Sequence, residues 1–215
     1  MSRWVILDVG ETLIDETRVW STWADQLGIP RLTFMASLGA VIAEGGQHHD
    51  LFNRFGIADW RAWASGVEGA YGGFRASDLY PDALRSLDAL REQGYRLAVI
   101  ANQPAQRNAQ LRALGVEAEV IAMSAEMGVS KPAPEFFARA LELIGSPPPA
   151  EVAYVGDRVD NDVVPAMAAG MRAVWIRRGP WGAIQRLPDG VRPALIVDSL
   201  DELMDRIDRV WVGSA

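Results

Sequence analysis

The chain has 215 residues, of which 49% are hydrophobic and 23% are charged, and it contains no cysteine. This balance is typical of a globular protein, and a chain without cysteine has neither a disulfide framework nor a thiolate metal site. A formal net charge of −7 argues against nucleic acid and anionic membranes as partners, because both require a basic surface. We expect a cytoplasmic protein, because the apolar run before Asp8 is too short for a signal-peptide core and no apolar run approaches the ~20 residues of a membrane span.

Six short apolar runs, rich in Val, Ile and Ala, are distributed along the chain. They are nearly continuous rather than alternating, as buried parallel strands are. Helical patterns separate them, and several of these begin with proline and end at glycine, which are start and stop signals for helices. Strand alternating with helix predicts an α/β fold with a Rossmann-like, doubly wound parallel sheet. The strand-like runs are WVILD, YRLAVIAN, AEVIAM, EVAYVGD, MRAVWI and ALIVD.

The stretch from 15 to 79 interrupts this alternation, because it contains helical patterns and no strand-like run. Trp20 and Trp23, and then Trp60 and Trp63, are spaced i, i+3, so we expect each pair to share a helix face. We interpret these tryptophans as a core stripe of the helical segment. The sequence therefore predicts a core formed by 1–14 and 80–215, with an inserted helical cap domain formed by 15–79.

Polar residues follow several of the strand-like runs. Asp8 ends the first run, Asn102 follows Ala101 at the end of the second, and Asp157 ends EVAYVGD. In an open α/β sheet, ligands bind beyond the carboxyl ends of the strands, so we expect these residues at one edge. Carboxylates that lie together repel one another unless a cation joins them, and hard oxygen ligands suit Mg²⁺.

Lysine occurs once in the chain, at Lys131, and every other basic residue among the 21 Lys and Arg is arginine. A chain that otherwise uses arginine has kept this lysine for a property that a guanidinium lacks, its compact point charge. Lys131 stands just before a helical pattern, in SKPAPEFF. We expect it to offset charge on an anionic substrate or reaction centre.

Four motifs, in this order, resemble those of the haloacid dehalogenase superfamily of hydrolases. The helical segment lies between the first and second motifs, where the first cap type of that family lies. Any one motif alone is a weak signal, whereas four in order over nearly the whole chain are a specific one. ILDVGETL resembles the strand with D-x-D-x-T-L, YRLAVIANQ the strand that ends in Ser or Thr before Asn, SKPAPEFF the lysine segment, and YVGDRVDNDVVPAMAAGM the V-G-D-x-x-x-N-D motif.

The resemblance implies a role for each matching residue. Asp8 would attack phosphorus and form an aspartyl-phosphate, as carboxylate nucleophiles can. Asp8 and Asp157, with the backbone carbonyl of Gly10, would hold Mg²⁺. Lys131 would steady Asp8 and the transferring phosphoryl group, and Asp162 would orient the lysine or a metal-bound water.

The resemblance also implies the kind of substrate. Asn102 and Arg158, together with Lys131, are the expected contacts of its phosphate, although Arg158 could instead form a surface ion pair. The expected partner is a small phosphorylated metabolite, with no nucleic acid and no membrane. The sequence leaves the oligomeric state open.

Two positions depart from the family pattern. Gly10 stands where a second aspartate protonates the leaving group and then activates water, and Ala101 stands where a hydroxyl binds the phosphoryl oxygens. General acid–base catalysis contributes about 10²- to 10⁴-fold in rate. Glu11 is adjacent, but successive side chains diverge, so it is a poor substitute. We therefore expect a hydrolase with impaired or unusual acid–base machinery.

Three functions are compatible with these residues. The first, which we predict, is an Mg²⁺-dependent phosphatase that acts on an ester with a good leaving group, or that takes its acid from the cap or the substrate. The second is a non-catalytic or regulatory protein that binds Mg²⁺ and an anion. The third is a dehalogenase, which needs no acid to protonate a halide but whose fourth motif is not the metal-binding one found here.

Overall fold

The computed structural model describes residues 3–212 and has a six-stranded parallel sheet at its centre. The strands are β1 (Trp4–Leu7), β2 (Arg96–Ala101), β3 (Val120–Met123), β4 (Val152–Gly156), β5 (Arg172–Ile176) and β6 (Leu195–Val197). Their order in the sheet is β3-β2-β1-β4-β5-β6, and each neighbouring pair is parallel. Each strand lies within one of the predicted runs, which confirms the α/β fold with a Rossmann-like sheet.

Four helices connect β1 to β2: α1 (Thr17–Gln26), α2 (Arg31–Ala43), α3 (Asp50–Arg54) and α4 (Arg61–Tyr71). Residues of α1, α2 and α3, together with Trp181, form an apolar cluster that includes Phe34 and Leu38 of α2 and is separate from the two clusters of the sheet. Trp20, Trp23 and Trp60 pack against this cluster. The expectation for Trp63 was wrong, since its side chain is 45% exposed. Trp60 directly precedes α4 whereas Trp63 lies within it, so the spacing rule for a shared helix face does not hold for this pair.

The helical segment leaves and re-enters the core at one point. Ile14 forms an antiparallel bridge with Leu79, and the N–H of Tyr80 donates to the carbonyl of Leu13 at 3.0 Å. Next to this bridge, the N–H of Asp15 donates to the carbonyl of Asp78 at 2.8 Å. An inserted segment requires that the chain leave and re-enter the core at neighbouring positions, as it does here. The division into core and cap at these positions stays a prediction.

The remaining helices flank the sheet on both faces. Residues of α5, α6 and α11 join the apolar cluster on one face, and residues of α8 and α9 join the cluster on the other. No single helix among residues 3–212 is long and apolar enough to cross a bilayer, and α1 and α2 meet those criteria only jointly, across a bend of 115°. These helices are α5 (Ala83–Glu92), α6 (Gln106–Ala113), α7 (Ser124–Met127), α8 (Pro134–Leu143), α9 (Val164–Ala168), α10 (Gly179–Ile184) and α11 (Leu200–Arg206), with a π-helical turn at Val159–Val163.

Candidate active site

The central position of β1 brings the carboxyl ends of three strands together. Because β1 lies between β2 and β4, the residues that follow these strands meet at the middle of the carboxyl edge. Asp8 follows β1, Asn102 follows β2 and Asp157 follows β4. The N–H of Asp8 donates to the carbonyl of Val155 at 2.9 Å, which continues the β1–β4 pairing and fixes the backbone of Asp8.

Lys131 joins two of the acids at this edge. Its Nζ lies 2.8 Å from Oδ1 of Asp8 and 2.6 Å from Oδ1 of Asp162. Asp157 lies beside them, and all four side chains are buried. We call Asp8, Lys131, Asp157 and Asp162 the charged floor. The lone lysine and the three acids singled out in the sequence therefore occupy one site.

Asn102 holds the loop that carries Lys131. Its Oδ1 accepts the backbone N–H of Lys131 at 2.8 Å, and its Nδ2 donates to the Lys131 carbonyl at 2.9 Å. The amide of Asn102 thus positions the lysine backbone, and its expected contact with phosphate stays a prediction. Nothing in the sequence spacing indicates this contact, because it joins residues on separate loops.

Asp162 is placed by the π-helical turn after β4. Its Oδ2 accepts the backbone N–H of Arg158 at 2.9 Å, which leaves Oδ1 for Lys131. A Cβ at Gly156 would lie 2.4 Å from the Asp162 carboxylate. The glycine of the V-G-D motif is therefore required by the close approach of this acid.

The charged floor carries more negative than positive charge. Burial opposes the charge of Lys131, but the nearby Asp162 and Asp8 outweigh it and raise the pKa of the ammonium, which stays protonated. Burial, and then the charges of Asp162 and Asp8, raise the pKa of Asp157. Three buried carboxylates thus face one ammonium, an arrangement that attracts a further cation.

A divalent cation fits the charged floor. One oxygen from each of Asp8, Asp157 and Asp162 lies within 4.8 Å of the others. Oδ2 of Asp157 is buried and has no hydrogen-bond partner among the residues described. A buried carboxylate oxygen without a donor is destabilising unless a cation or water meets it, and Mg²⁺ takes such hard oxygen ligands.

Arg158 lies beside the charged floor and is engaged by other groups. Its Nη2 lies 2.6 Å from Oδ2 of Asp160 and donates to Oε1 of Gln47, in the loop between α2 and α3, at 2.7 Å. Its guanidinium carbon lies 3.7 Å from the centre of the Trp181 ring. Burial acts in the opposite direction, but the hydrogen bonds and charge of Arg158 lower the pKa of Asp160 to about 2. The ion pair that the sequence left as an alternative is therefore formed.

A cavity of about 570 Å³ lies above the charged floor, between the sheet edge and the helical segment. Five aromatic residues form much of its far side, and we call them the aromatic wall. Their rings contact one another closely: the rings of Phe52 and Trp60 stack at 5.5 Å, and that of Trp23 meets Phe52 edge-on at 4.8 Å. Three of the tryptophans that the sequence assigned to a helical core, Trp20, Trp23 and Trp60, thus also line the cavity. The aromatic wall comprises Trp20, Trp23, Phe52, Trp60 and Trp181.

Glu16 also lines the cavity, although nothing in the sequence pattern singles it out. It directly precedes α1, its backbone N–H donates to Oε1 of Glu11 at 3.1 Å, and its Oε1 accepts from Nε2 of Gln103 at 3.3 Å. Partial burial, and then the charges of Glu11 and Asp8, raise the pKa of Glu16 to about 8, and a bound cation would act in the opposite direction. Glu16 belongs to none of the four motifs. A turn with a φ of 51° at Glu11 brings the chain at Glu16 back toward the end of β1.

One family of known proteins matches most of the chain. The family described as haloacid dehalogenase-like hydrolase matches residues 3–170, which include the whole charged floor and the helical segment. The chain belongs to the haloacid dehalogenase-like hydrolases.

Curated relatives of this hydrolase are phosphatases. The glyceraldehyde 3-phosphate phosphatase of Methanopyrus kandleri is 36% identical over 129 residues, which are 59% of this chain and 55% of that protein. The phosphoserine phosphatase of Thermus thermophilus is 38% identical over 108 residues, which are 49% of this chain and 43% of that protein. The chain therefore matches about half the length of these relatives.

Solved structures share the fold of this hydrolase over almost its full length. The putative HAD-hydrolase YfnB from Bacillus subtilis, solved bound to magnesium, has a TM-score of 0.73 at 19% identity and covers 96% of this chain and 99% of its own. The L-2-haloacid dehalogenase RSc1362 has a TM-score of 0.70 at 18% identity, with coverage of 96% and 99%. At these identities the likeness concerns the fold alone, and the fold does not distinguish hydrolysis of a phosphate ester from dehalogenation.

The second departure of this hydrolase from the family pattern lies away from the cavity. Ala101 is fully buried and belongs to the apolar cluster on one face of the sheet. Its neighbours Asn102 and Gln103 line the cavity instead. At this strand end, amide side chains rather than a hydroxyl therefore face the cavity.

Proposed function

We propose that this hydrolase is an Mg²⁺-dependent phosphatase that forms an aspartyl-phosphate on Asp8. The charged floor carries the proposal: a carboxylate fixed at a strand end lies 2.8 Å from a buried ammonium and opens onto a cavity. The phosphatase names of the relatives support the same reaction class.

The charged floor has the groups that phosphoryl transfer to a carboxylate needs. An oxygen of Asp8 forms the bond to phosphorus as the bond to the leaving oxygen breaks. Lys131, held by Asp162 and by the amide of Asn102, balances charge that develops on the transferring group. Mg²⁺, held by Asp8, Asp157 and the backbone carbonyl of Gly10, would supply the positive charge that allows two anions to meet.

The cavity favours an uncharged, apolar leaving group. Arg107 is engaged by Glu68 through contacts of 2.6 and 2.9 Å, and Arg158 is engaged by Asp160. With Lys131 in the charged floor, no other cation among the described lining residues is free to bind a second anionic group. Apolar surface gains about 25 cal/mol per Å² when it leaves water, so the aromatic wall selects a ring-sized apolar group. We therefore propose the phosphomonoester of such a group as the substrate.

Phosphate release by the purified protein tests this function. With Mg²⁺, we expect phenyl and naphthyl phosphate to be hydrolysed with higher kcat/KM than phosphoserine or phosphoglycolate, and removal of Mg²⁺ by EDTA to stop turnover. The Asp8→Asn variant should lose at least about 10³-fold in kcat, as nucleophile replacements do. Acid quench of the wild type during turnover should trap phosphate on the peptide that contains Asp8.

The other outcomes separate the alternative functions. Equal turnover by Asp8→Asn and wild type would exclude Asp8 as the nucleophile. Mg²⁺-dependent binding of phosphate without turnover of any ester would assign a regulatory role. Release of halide from 2-haloacids in the presence of EDTA would assign the dehalogenase reaction.

A further inference from the structure

The space beside Gly10 is filled by the carboxyl group of another residue. A Cβ built on Gly10 would lie 2.5 Å from Oε1 and 2.8 Å from Cδ of Glu16, and its third neighbour is Oε2 of Glu16. The φ of Gly10 lies outside the left-handed region, so the backbone would accept any residue. A side chain at position 10 would displace the Glu16 carboxyl, which occupies the place in which that side chain would begin.

Two hydrogen bonds position Glu16, one at its backbone and one at its carboxyl. The backbone N–H of Glu16 is bonded to Glu11, which fixes the start of α1, and Gln103 from the loop after β2 donates to the Glu16 carboxyl. Glu16, Asp8 and Gly10 line the same cavity. The Glu16 carboxyl therefore faces the same cavity as the nucleophile, beside the backbone of Gly10.

The other glutamates that line the cavity are engaged elsewhere. Glu11 accepts the hydroxyl of Tyr80 on one oxygen and the Glu16 N–H on the other. Both oxygens of Glu68 bind the guanidinium of Arg107. Among the described glutamates of the cavity, Glu16 alone has no cationic or hydroxyl partner in the hydrogen bonds of the structure.

We propose that Glu16 is the general acid and base of this hydrolase, an inference that rests on the proposed function. In the first step an Asp8 oxygen bonds to phosphorus, the bond from phosphorus to the leaving oxygen breaks, and that oxygen takes the proton of Glu16 and departs as an alcohol. In the second step a water oxygen bonds to phosphorus and gives its proton to Glu16, while the bond from phosphorus to Asp8 breaks and its electron pair returns to Asp8. The products are alcohol and phosphate, and Glu16 is again protonated.

A matched pair of substrates separates this role from general damage to the site. Benzyl phosphate and 4-nitrophenyl phosphate both carry one ring, but the benzyl alkoxide needs a proton to leave and the nitrophenolate does not. At saturating Mg²⁺, we expect Glu16→Gln to lower kcat on benzyl phosphate by about 10²-fold or more, and the first step on 4-nitrophenyl phosphate by less than about threefold. Glu135→Gln, which removes an exposed acid of α8, should change neither rate.

Moving the acid back to position 10 gives a second, independent test. In Glu16→Ala the three neighbours of the Gly10 Cβ position are gone, so Gly10→Asp/Glu16→Ala has room for a carboxyl group. We expect this double variant to recover at least about tenfold in kcat on benzyl phosphate over Glu16→Ala. Gly10→Ala/Glu16→Ala, which adds a side chain without an acid, should recover nothing, and thermal melting checks that all variants are folded.

The outcomes distinguish this inference from the proposed function. A wild type with Asp8-dependent turnover, in which Glu16→Gln slows the first step of both esters equally or slows neither, would reject Glu16 as the acid and leave the phosphatase proposal standing. A wild type that hydrolyses neither ester would overturn both. A selective loss on benzyl phosphate, with recovery in Gly10→Asp/Glu16→Ala, would support the assignment.

Discussion

The charged floor and the aromatic wall face each other across one cavity, and they are positioned in different ways. The charged floor is built from residues at strand ends and adjoining loops, and its side chains are fixed by short ion pairs and backbone hydrogen bonds. The aromatic wall is built from ring contacts inside an inserted helical segment, with Trp181 of α10 added from the core. The first arrangement places atoms accurately for a reaction, whereas the second offers apolar area with little directional demand.

Apolar packing of Trp181 and two groups of polar contacts join the helical segment to the rest of the chain. Glu68 of α4 pairs with Arg107 of α6, and Gln47 exchanges hydrogen bonds with Arg158 and Asp160. Because this apolar cluster contains no residue of the charged floor, changes in the aromatic wall can alter substrate choice without disturbing the nucleophile. Changes in the charged floor should instead affect every substrate alike, and the following variants test that division.

The largest effect is expected for Lys131. Lys131→Arg and Lys131→Ala should each lower kcat by at least about 10²-fold on all substrates, because a guanidinium does not fit where Nζ contacts two carboxylates at 2.6 and 2.8 Å. Lys131→Ala should also lose about 3–5 kcal/mol of stability, since it leaves two buried acids without their cation. Steady-state rates and denaturant titrations measure both. A near-normal rate in Lys131→Arg would make the lysine an ordinary cation.

Asp157→Asn should lower activity, because it removes a proposed Mg²⁺ ligand, and should raise the stability of the metal-free protein. Its raised folded pKa means that the carboxylate destabilises the metal-free fold: the penalty is absent below a pH of about 4, grows as pH rises, and is complete above the folded pKa. At pH 8 without metal, the free energy of unfolding of the variant should therefore be about 1–3 kcal/mol higher than that of the wild type. Each kcal/mol should raise Tm by roughly 2–4 °C. Mg²⁺ should raise the Tm of the wild type but not of the variant. Equal Mg²⁺ shifts in the two proteins would remove Asp157 from the metal site.

A bulky residue in the helical segment should change substrate choice alone. Ala64 of α4 lines the cavity, whereas Ala62 on the same helix is exposed and does not. Ala64→Phe should lower kcat/KM for naphthyl phosphate by about tenfold, since overpacking costs about 1–3 kcal/mol, and should leave phenyl phosphate nearly unaffected. Ala62→Phe is the matched control. If Ala64→Phe slowed both esters equally, the segment would act on catalysis rather than on selection.

The smallest effect is expected where the two regions meet. Asp160→Asn removes a partner of Arg158. The folded pKa of Asp160 lies near 2, so the contribution of its carboxylate to the free energy of unfolding is present above a pH of about 4 and is lost as pH falls through 2. The side chain is 36% exposed, so solvent screening limits the loss at pH 7 to about 1 kcal/mol. Urea midpoints of wild type and variant should differ at pH 7 and converge between pH 4 and 2. A constant difference over that range would assign the effect to the hydrogen bonds of Gln47 and Gln185.

The sequence by itself determined the sheet and most of the charged floor. Strands buried on both faces read as continuous apolar runs, and parallel strands place their carboxyl ends at one edge, so Asp8 and Asp157 could be assigned to a common site. The scarcity of lysine and the order of the motifs added Lys131 and Asp162. These inferences succeeded because each depends on local periodicity or on a short spacing along the chain.

Only the tertiary structure decided which side chains meet across segments. The amide of Asn102 reaches the Lys131 backbone, Arg158 turns to Asp160 and Gln47, and tryptophans of the helical segment line the cavity. Above all, the space left by Gly10 is filled from six residues further along, after a turn that no motif records. Such contacts depend on how loops and helices pack in three dimensions, and side-chain spacing along the chain carries no signal of them.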